Sequence, residues 1–143
     1  VILMRAGKIQ QNDAPAALYE RPETIFTARF IGSPPMNVLP AAMLADRGAL
    51  AASAPAQRDL AAMCFGIRPE ALRIAAEGLP ARVVAVEYLG GDSQIEARVG
   101  EEIVLLRTGG TAAVAPGQHI HLTWAPREAH WFDASSGCRI ART

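Results

Sequence analysis

The distribution of apolar and polar residues divides the chain into a mixed first quarter and a longer part rich in strand patterns. Residues 1–4 and 8–11 flank a glycine, which predicts a short β-hairpin. Asn12 and Asp13 are favourable N-cap residues, and Pro15 suits a first helical turn because its missing N–H costs little there. A short helix is therefore expected directly after the hairpin.

A second short helix is predicted to begin at Thr24, whose side chain can cap it. Its apolar positions, 25, 26, 30 and 31, fall on roughly one face. The following glycine, serine and two prolines end the helix and make this the best linker candidate in the chain. The predicted linker or hinge consists of Gly32, Ser33, Pro34, Pro35, Met36 and Asn37.

The remaining chain, residues 36–143, is predicted to be mainly β. After short apolar runs at 38–44, 49–54 and 64–67, a longer strand at 80–89 has Val84, Val86 and Tyr88 on one face and residues 83, 85 and 87 on the other. Three further strands are predicted. The first has residues 95, 97 and 99 facing inward, and the last has residues 120, 122 and 124 facing inward. In the strand between them, either residues 104 and 106 or residues 103 and 105 face inward. Short strands separated by turns suggest a barrel or sandwich.

Composition is that of a folded globular protein and excludes several functional classes. Half of the 143 residues are hydrophobic and 20% are charged. Fourteen basic residues balance fourteen acidic ones, and aromatic residues make up only 6%, so the sequence predicts no nucleic-acid binding. No apolar stretch reaches about 18 residues, and we expect neither a membrane span nor a secretory signal.

The two cysteines and the first residue are weaker indicators of what kind of chain this is. Cys64 and Cys138 lack a disulfide framework and an export signal, so two reduced thiols are expected rather than a disulfide. Val1 opens within an apolar run and is not methionine, which is typical of a fragment.

The sequence contains no recognisable catalytic motif. The phosphate-binding pattern GxxxxGK[ST] is absent, as are GxSxG, HExxH and CxxC. Two glycine pairs, at 90–91 and 109–110, have an anion-binding interpretation, but hairpin turns explain them better. We therefore predict no catalytic or cofactor-binding residue in this chain.

His119 and His121 are the only weak candidates for a metal site. At a spacing of two on a strand they project to the same face, and His130 can approach across a hairpin. The alternative is that both lie on the solvent face, opposite the apolar residues of the same strand. The prediction is that no metal binds.

The sequence Arg68-Pro69-Glu70 follows the apolar run at 64–67. Proline after arginine ends a strand, and Glu70 can begin a single helical turn. This arrangement predicts a structured turn with a surface Arg–Glu pair, which contributes on the order of 0–1 kcal/mol.

Several longer phrases resemble one protein family. Residues 1–11, 14–15, 18–22 and 26–37 are similar to the end of the nucleotide-binding domain in ABC importer ATPases of the carbohydrate-uptake branch, which includes maltose and sn-glycerol-3-phosphate importers. The phrase at 30–37 is the most specific. Later segments resemble the transport-associated OB-like barrel of that branch. The first two are Gly66, Ile67, Arg68, Pro69 and Glu70, and then residues 86–92, which include Glu87, Gly90, Gly91 and Asp92. The others are residues 124–126, 130–133 and 137–140.

This resemblance implies a division at residue 35. Residues 1–35 would be the remnant of a nucleotide-binding domain with its linker, and residues 36–143 an OB-like regulatory and dimerisation domain. The parent protein would be an ATPase that uses ATP and Mg²⁺ for sugar or sn-glycerol-3-phosphate import, whereas this fragment lacks the ATP site and needs no cofactor. The two prolines would stiffen the hinge, so that barrel position follows nucleotide-driven closure.

The same resemblance implies partners and location. They are a second copy of the chain, transmembrane permease subunits and a regulatory protein on the barrel, at the cytoplasmic face of the bacterial inner membrane. The alternative function is a barrel that binds a small ligand or an oxyanion. Neither the residues nor the resemblance identifies the transported substrate.

Overall fold

The chain begins with an antiparallel hairpin, as the apolar pattern predicted. Strands β1 (Ile2–Arg5) and β2 (Lys8–Asn12) pair with each other, and helices α1 (Pro15–Glu20) and α2 (Ile25–Phe30) follow. The structure is a computed structural model that describes residues 1–56 and 59–141. The order of these four elements confirms the predicted hairpin and two short helices.

The two helices begin differently. The Oγ1 of Thr24 accepts a hydrogen bond of 3.1 Å from the backbone N–H of Thr27, so the predicted cap of α2 is confirmed. For α1 the prediction was wrong, because the N-cap is Ala14 and has no side-chain cap. Asn12 ends β2 and the carboxylate of Asp13 accepts from a neighbouring glutamine instead, while proline at the first helical position fixes the helix start.

Over the described residues, the later strands form two further antiparallel sheets. One has three strands in the order β10-β4-β3, and the other has five in the order β5-β9-β6-β7-β8. The mainly β, OB-like fold is therefore confirmed. The strands are β3 (Asn37–Pro40), β4 (Met63–Ile67), β5 (Arg73–Ala75), β6 (Leu79–Tyr88), β7 (Asp92–Val99), β8 (Glu102–Gly109), β9 (His119–Thr123) and β10 (His130–Asp133).

The segment between β3 and β4 contains short helices joined by turns. The apolar run at 38–44 divides into β3 and the 3₁₀ helix Ala41–Leu44, and α3 (Ala49–Ala52) is a single turn. Further 3₁₀ helices are Leu60–Ala62, Pro69–Ala71 and Pro126–Glu128. Among the described residues, no helix has both the length and the apolar character needed to cross a membrane.

The core lies between the two sheets of the barrel. Phe65 of β4 is its centre, with its ring 5.3 Å from that of Trp124 and 6.0 Å from that of Trp131. The structure decides the ambiguous strand in favour of Val104 and Leu106, which are both fully buried. The inward faces predicted for residues 95, 97, 99, 120, 122 and 124 are confirmed.

One predicted face is wrong because β6 contains a bulge. The register between β6 and β7 shifts between Val83 and Ala85, which inserts an extra residue into β6. Val84 consequently points to solvent, whereas Val86 packs partly against the core, so the two valines do not share a face.

A side chain joins the two barrel sheets where their edge strands meet. The Nδ2 of Asn37 donates to the carbonyl oxygens of Ile67 and Leu105, at 3.1 and 2.9 Å, and its Oδ1 accepts from the N–H of Leu105 at 2.8 Å. The amide thus pairs with β8 as a backbone peptide group would. Because β3 and β8 are the edges of their sheets, this side chain closes the gap between them.

Candidate functional site at the junction between the helices and the barrel

A buried arginine connects the first 35 residues to the barrel. Arg68 follows β4 and is only 5% exposed, although it carries a charge. Pro69 stands at the first position of the 3₁₀ helix behind it and holds the chain in a turn. The side chain of Arg68 therefore leaves the barrel and enters the space between α1 and α2.

The guanidinium of Arg68 binds the ends of both helices. Its Nη1 donates to the carbonyl oxygens of Ala28 and Ile31, at 3.1 and 2.6 Å, and its Nη2 donates to that of Tyr19 at 2.8 Å. The last carbonyls of a helix lack partners within the helix and carry partial negative charge. Arg68 thus satisfies acceptors in both helices at once, as its planar fork of donors allows.

Tyr19 and Glu70 complete the site around this guanidinium. The guanidinium carbon of Arg68 lies 4.0 Å from the centre of the Tyr19 ring, in a cation–π contact. The hydroxyl of Tyr19 in turn donates to the carboxylate of Glu70. One tyrosine from α1 is therefore held by both charged residues of the barrel turn.

This arrangement corrects the expectation of a surface Arg–Glu pair. Arg68 is buried, and its Nη1 and Nη2 donate to backbone carbonyls, while Glu70 accepts from the hydroxyl of Tyr19. Burial lowers the pKa of Arg68, and electrostatic interactions with Tyr19 and Glu70 oppose this shift. The sequence pattern showed the turn but not the helix carbonyls, because they are 37 to 49 residues away along the chain.

The predicted linker is packed against the same junction. A side chain at Gly32 would begin 2.9 Å from the Nη1 of Arg68, and the φ of +114° at this position also favours glycine. Met36 is 3% exposed and packs with Ala28 and Phe132. At Gly66, an added Cβ would lie 2.4 Å from the sulfur of Met36.

The other linker residues lie at the surface or in strand β3. Ser33 is exposed, and its carbonyl accepts from Arg107 at 3.5 Å. Pro34 is half-buried, Pro35 is exposed, and the Ser33–Pro34 peptide bond is cis. The residues predicted as a hinge thus make a packed connection that ends in the core, and their role as a hinge stays a prediction.

A second arginine, which the sequence analysis included only as part of the segment 137–140, strengthens the junction. The Nε of Arg139 donates to the carbonyl of Pro22 at 2.8 Å, and its backbone N–H donates to that of Glu23, also at 2.8 Å. Thr24 bridges to Cys138 nearby. No periodic pattern marks residue 139, because the segment pairs through isolated bridges rather than a strand.

The remaining residues of the family-like motifs lie away from the junction. Glu87, Gly90, Gly91 and Asp92 belong to the β6–β7 hairpin, where the N–H of Leu89 donates to the Asp92 carbonyl at 2.7 Å. Asp92 also pairs with Arg107 at 3.3 Å. Glu87 is exposed and opposite Gln94.

The histidine and cysteine candidates are not brought together into a metal site. His119 and His121 are both exposed on β9, on the face opposite its buried apolar residues. Within residues 1–56 and 59–141 no group of three or more potential ligands is close enough to hold a metal ion. Cys64 and Cys138 are free thiols.

The pH dependence of stability gives a test of the Tyr19 contact. Burial, and then the hydrogen bond to Glu70, raise the pKa of Tyr19 above its ordinary value of 10.0. A raised pKa means that the folded state holds the phenolic proton more tightly, so this contribution is complete below pH 10 and is lost as pH rises through the folded pKa.

We expect the wild-type protein to be more stable than Tyr19→Phe at pH 8 and to lose this advantage as the pH rises above 10 through the raised pKa of Tyr19. Urea unfolding at a series of pH values measures both proteins. Tyr88→Phe, at an exposed tyrosine of the β6–β7 hairpin, is the matched control. Parallel stability curves for wild type and Tyr19→Phe would contradict the contact.

Comparisons with known proteins show what the barrel and the chain as a whole resemble. Residues 65–132, which contain the Arg68 turn and most of the barrel, match the TOBE domain. The chain is 38% identical to an uncharacterized ABC transporter ATP-binding protein, y4oS, of Sinorhizobium fredii, over 99% of this chain and 41% of that protein. It is 41% identical to the sn-glycerol-3-phosphate import ATP-binding protein UgpC of Cereibacter sphaeroides, over 98% of this chain and 42% of the relative.

A UgpC of Yersinia enterocolitica is 33% identical over 98% of this chain and 43% of its own length. The chain thus spans about two fifths of the length of the curated relatives it matches. The similarity includes the hairpin, the helices and the junction as well as the barrel. Residues 65–132 therefore resemble a TOBE domain, and the chain as a whole is similar to the C-terminal part of the ATP-binding proteins of ABC importers.

Proposed function

We propose that the chain is the regulatory and dimer-stabilising portion of an ATP-binding subunit that powers ABC-type import of sugars or sn-glycerol-3-phosphate. The relatives named for sn-glycerol-3-phosphate import support the substrate class. The chain carries no GxxxxGK[ST] loop, so ATP and Mg²⁺ would bind elsewhere in such a subunit. The chain itself would not be an enzyme.

The junction at Arg68 is the observation that supports the proposed regulatory role. One buried guanidinium binds carbonyls of both α1 and α2, and Met36 fills the space beside Gly66. A displacement of the two helices is therefore transmitted to the barrel instead of being absorbed by a flexible connection. This arrangement suits a domain whose position reports on the state of a neighbouring ATPase.

Partners and location follow from the same proposal. A second copy would contact the barrel through a two-fold, isologous surface. Transmembrane permease subunits would bind the rest of the ATP-binding subunit, and a regulatory protein would bind the barrel. The subunit would lie at the cytoplasmic face of the bacterial inner membrane.

A chimera tests this proposal. This chain replaces the matching segment of the Cereibacter sphaeroides relative, and ATP hydrolysis is measured with and without the assembled transporter and its transport substrate. We expect the chimera to retain hydrolysis that responds to the transport substrate. Replacing both Pro34 and Pro35 by glycine, or Arg68 by lysine, should leave basal hydrolysis within about two-fold but weaken this response several-fold.

The matched control for Arg68→Lys is Arg73→Lys, at an exposed arginine whose partner is Glu128. An unchanged response in the Pro34/Pro35 and Arg68 variants would contradict the coupling role. Light scattering over a concentration series, with the same purified proteins, tests the dimer. A strict monomer at high concentration would contradict the dimer-stabilising part.

A further inference from the structure

Residues 137–140, which we call the bridging segment, lie between the barrel and the connection from α1 to α2. One edge of this segment pairs with β10. The N–H of Ile140 donates to the carbonyl of Trp131 at 2.8 Å, and the N–H of Asp133 donates to that of Cys138 at the same distance. The other edge pairs with the connection, so the three-stranded sheet of the barrel is extended towards the helices.

The edge that faces the helices is formed by backbone hydrogen bonds and one arginine side chain. The N–H of Arg139 donates to the carbonyl of Glu23 at 2.8 Å. The N–H of Ile25 donates to the carbonyl of Gly137 at 2.9 Å. The Nε of Arg139 also donates to the carbonyl of Pro22 at 2.8 Å. Arg139 therefore bonds to the connection through both its backbone and its side chain.

The bridging segment is anchored to the barrel. Ile140 is only 9% exposed and belongs to the barrel core. The carboxylate of Asp133 accepts from two backbone N–H groups of the turn that leads into the segment. The Nη2 of Arg139 donates to the Nδ1 of His130 in β10 at 2.8 Å. The segment consequently stays with the barrel if the helices move.

The connection from α1 to α2 is anchored to the hairpin instead. Gln11 of β2 is only 4% exposed. Its Oε1 accepts from the N–H of Glu23 at 2.8 Å, and its Nε2 donates to the carbonyl of Arg21 at 3.2 Å. The edge between residues 22–25 and 137–139 is thus the place where two separately anchored parts of the chain meet.

This edge has the features of a contact that opens locally. Glu23 and Cys138 are exposed and Thr24 is half-buried, so the backbone hydrogen bonds between them lie close to solvent. A cleft of about 330 Å³ runs beside the edge, between the end of α1 and the bridging segment. Segments joined by solvent-exposed backbone hydrogen bonds can open while the rest of a protein stays folded.

We propose that the pairing of residues 22–25 with residues 137–139 is a latch that opens while the barrel remains folded. When the latch is closed, the helices and the barrel move as one body. When it is open, the helices stay attached around Arg68 and Met36 and pivot there. The regulatory consequence rests on the proposed function: an open latch weakens the transmission of helix displacement to the barrel.

Native-state hydrogen exchange of the chain tests whether the latch opens by itself. The amides of Ile25 and Arg139 donate across the latch, whereas those of Asp133 and Ile140 hold the bridging segment to β10. We expect the protection factors of the two latch amides to be at least ten-fold lower than those of the two barrel amides. Equal protection of all four amides would show that the latch opens only with the barrel and would overturn the proposal.

A reversible crosslink closes the latch. Thr24 and Cys138 are antiparallel partners flanked by the two backbone hydrogen bonds, which makes them a non-hydrogen-bonded pair. The Cα atoms of such pairs are about 4.5 Å apart, a separation that a disulfide spans. Thr24→Cys should therefore form a disulfide with the native Cys138 thiol, in a Cys64→Ser background that removes the other thiol.

Oxidation of this variant should raise the protection of the Ile25 and Arg139 amides to that of the barrel amides. The reduced form of the same protein is the control, because both forms lack the hydroxyl with which Thr24 caps α2. A difference that persists after oxidation would overturn the latch. Failure of the disulfide to form would contradict the pairing itself.

Arg139→Gln tests the latch without a crosslink. It removes the side-chain bond to the Pro22 carbonyl, so the protection of the latch amides should fall several-fold further while that of the barrel amides stays unchanged. Arg127→Gln, at an exposed arginine that lines the same cleft, makes the same charge change and should alter neither. An equal fall in the latch and barrel amides of Arg139→Gln would overturn the proposal.

The chimera described above measures the regulatory consequence. Arg139→Gln should weaken the response of hydrolysis to the transport substrate several-fold, whereas Arg127→Gln should not. An unchanged response in Arg139→Gln would show that the latch does not regulate coupling. The exchange experiments need neither ATP nor a permease, so failure of the latch and failure of the proposed transporter role are separate results.

Discussion

Replacing Arg68 by glutamine is expected to lower the free energy of unfolding by about 3–5 kcal/mol. Three helix carbonyls, those of Tyr19, Ala28 and Ile31, lose a charged donor and are left between the helices and the barrel. The ring of Tyr19 also loses its cation–π partner. Urea denaturation measures the change, and hydrogen exchange of the α2 amides shows whether the helices separate from the barrel first.

Two further variants distinguish this role from a general need for positive charge. Arg68→Lys keeps the charge but not the planar fork, so we expect an intermediate loss. Arg73→Gln, at an exposed arginine that follows the same 3₁₀ turn, should cost less than about 1 kcal/mol. A loss below 1 kcal/mol in Arg68→Gln itself would show that the helices are held by other contacts.

The second large effect is expected at Asn37. In Asn37→Leu the N–H and carbonyl of Leu105 and the carbonyl of Ile67 all lose their side-chain partner, and we expect a loss of about 2–4 kcal/mol in the free energy of unfolding. Asn37→Asp retains the acceptor but directs a carboxylate at two carbonyl oxygens, so its loss should be comparable.

The control for Asn37→Asp is Asn12→Asp, at an exposed position that ends β2. It should change stability by less than about 0.5 kcal/mol. Urea unfolding of all three variants, followed by tryptophan fluorescence, gives the comparison. Equal changes in the free energy of unfolding for Asn37→Asp and Asn12→Asp would show that contacts other than this amide hold the two sheets together.

The parts of the fold that the sequence predicted are those governed by local periodicity. Alternation placed Ile95 and Ile120 on inward faces because each lies in a regular strand with one buried side. The cap at Thr24 was equally local, since donor and acceptor are three residues apart. The bulge near Val84 was not visible, because an extra residue changes the face of a strand without changing its composition.

The junction could be predicted only in outline. The sequence marked residues 66–70 and 32–37 as distinctive, through their prolines and glycines and through a family resemblance. It did not show that Arg68 reaches Tyr19 or that Asn37 reaches Leu105, because these partners are separated by 49 and 68 residues. Hydrogen bonds of this kind depend on where the two sheets and the helices come together, which periodicity does not encode.

The alignment of Arg82 with Arg98 across β6 and β7 could not be predicted either. Each arginine alone reads as a solvated strand residue, and only the register of β6 against β7 places one opposite the other. The two histidines were noticed for their spacing, yet only His119 aligns with the arginines, while His121 is opposite Pro80. Register is fixed by the bulge and the turns, so it became known only from the structure.

The close approach of Met36 to Gly66 affects how this chain can be recombined with its relatives. A crossover at residue 35 would separate Arg68 from its carbonyl acceptors. It would also separate Met36 and Phe132 from Ala28, which packs against them. Exchanges that carry α1, α2 and the barrel as one block keep those complementary surfaces matched. A splice at the exposed residues 13–14 before α1 therefore keeps these contacts within one block, whereas a splice at the proline pair, the domain boundary predicted from the sequence, divides them.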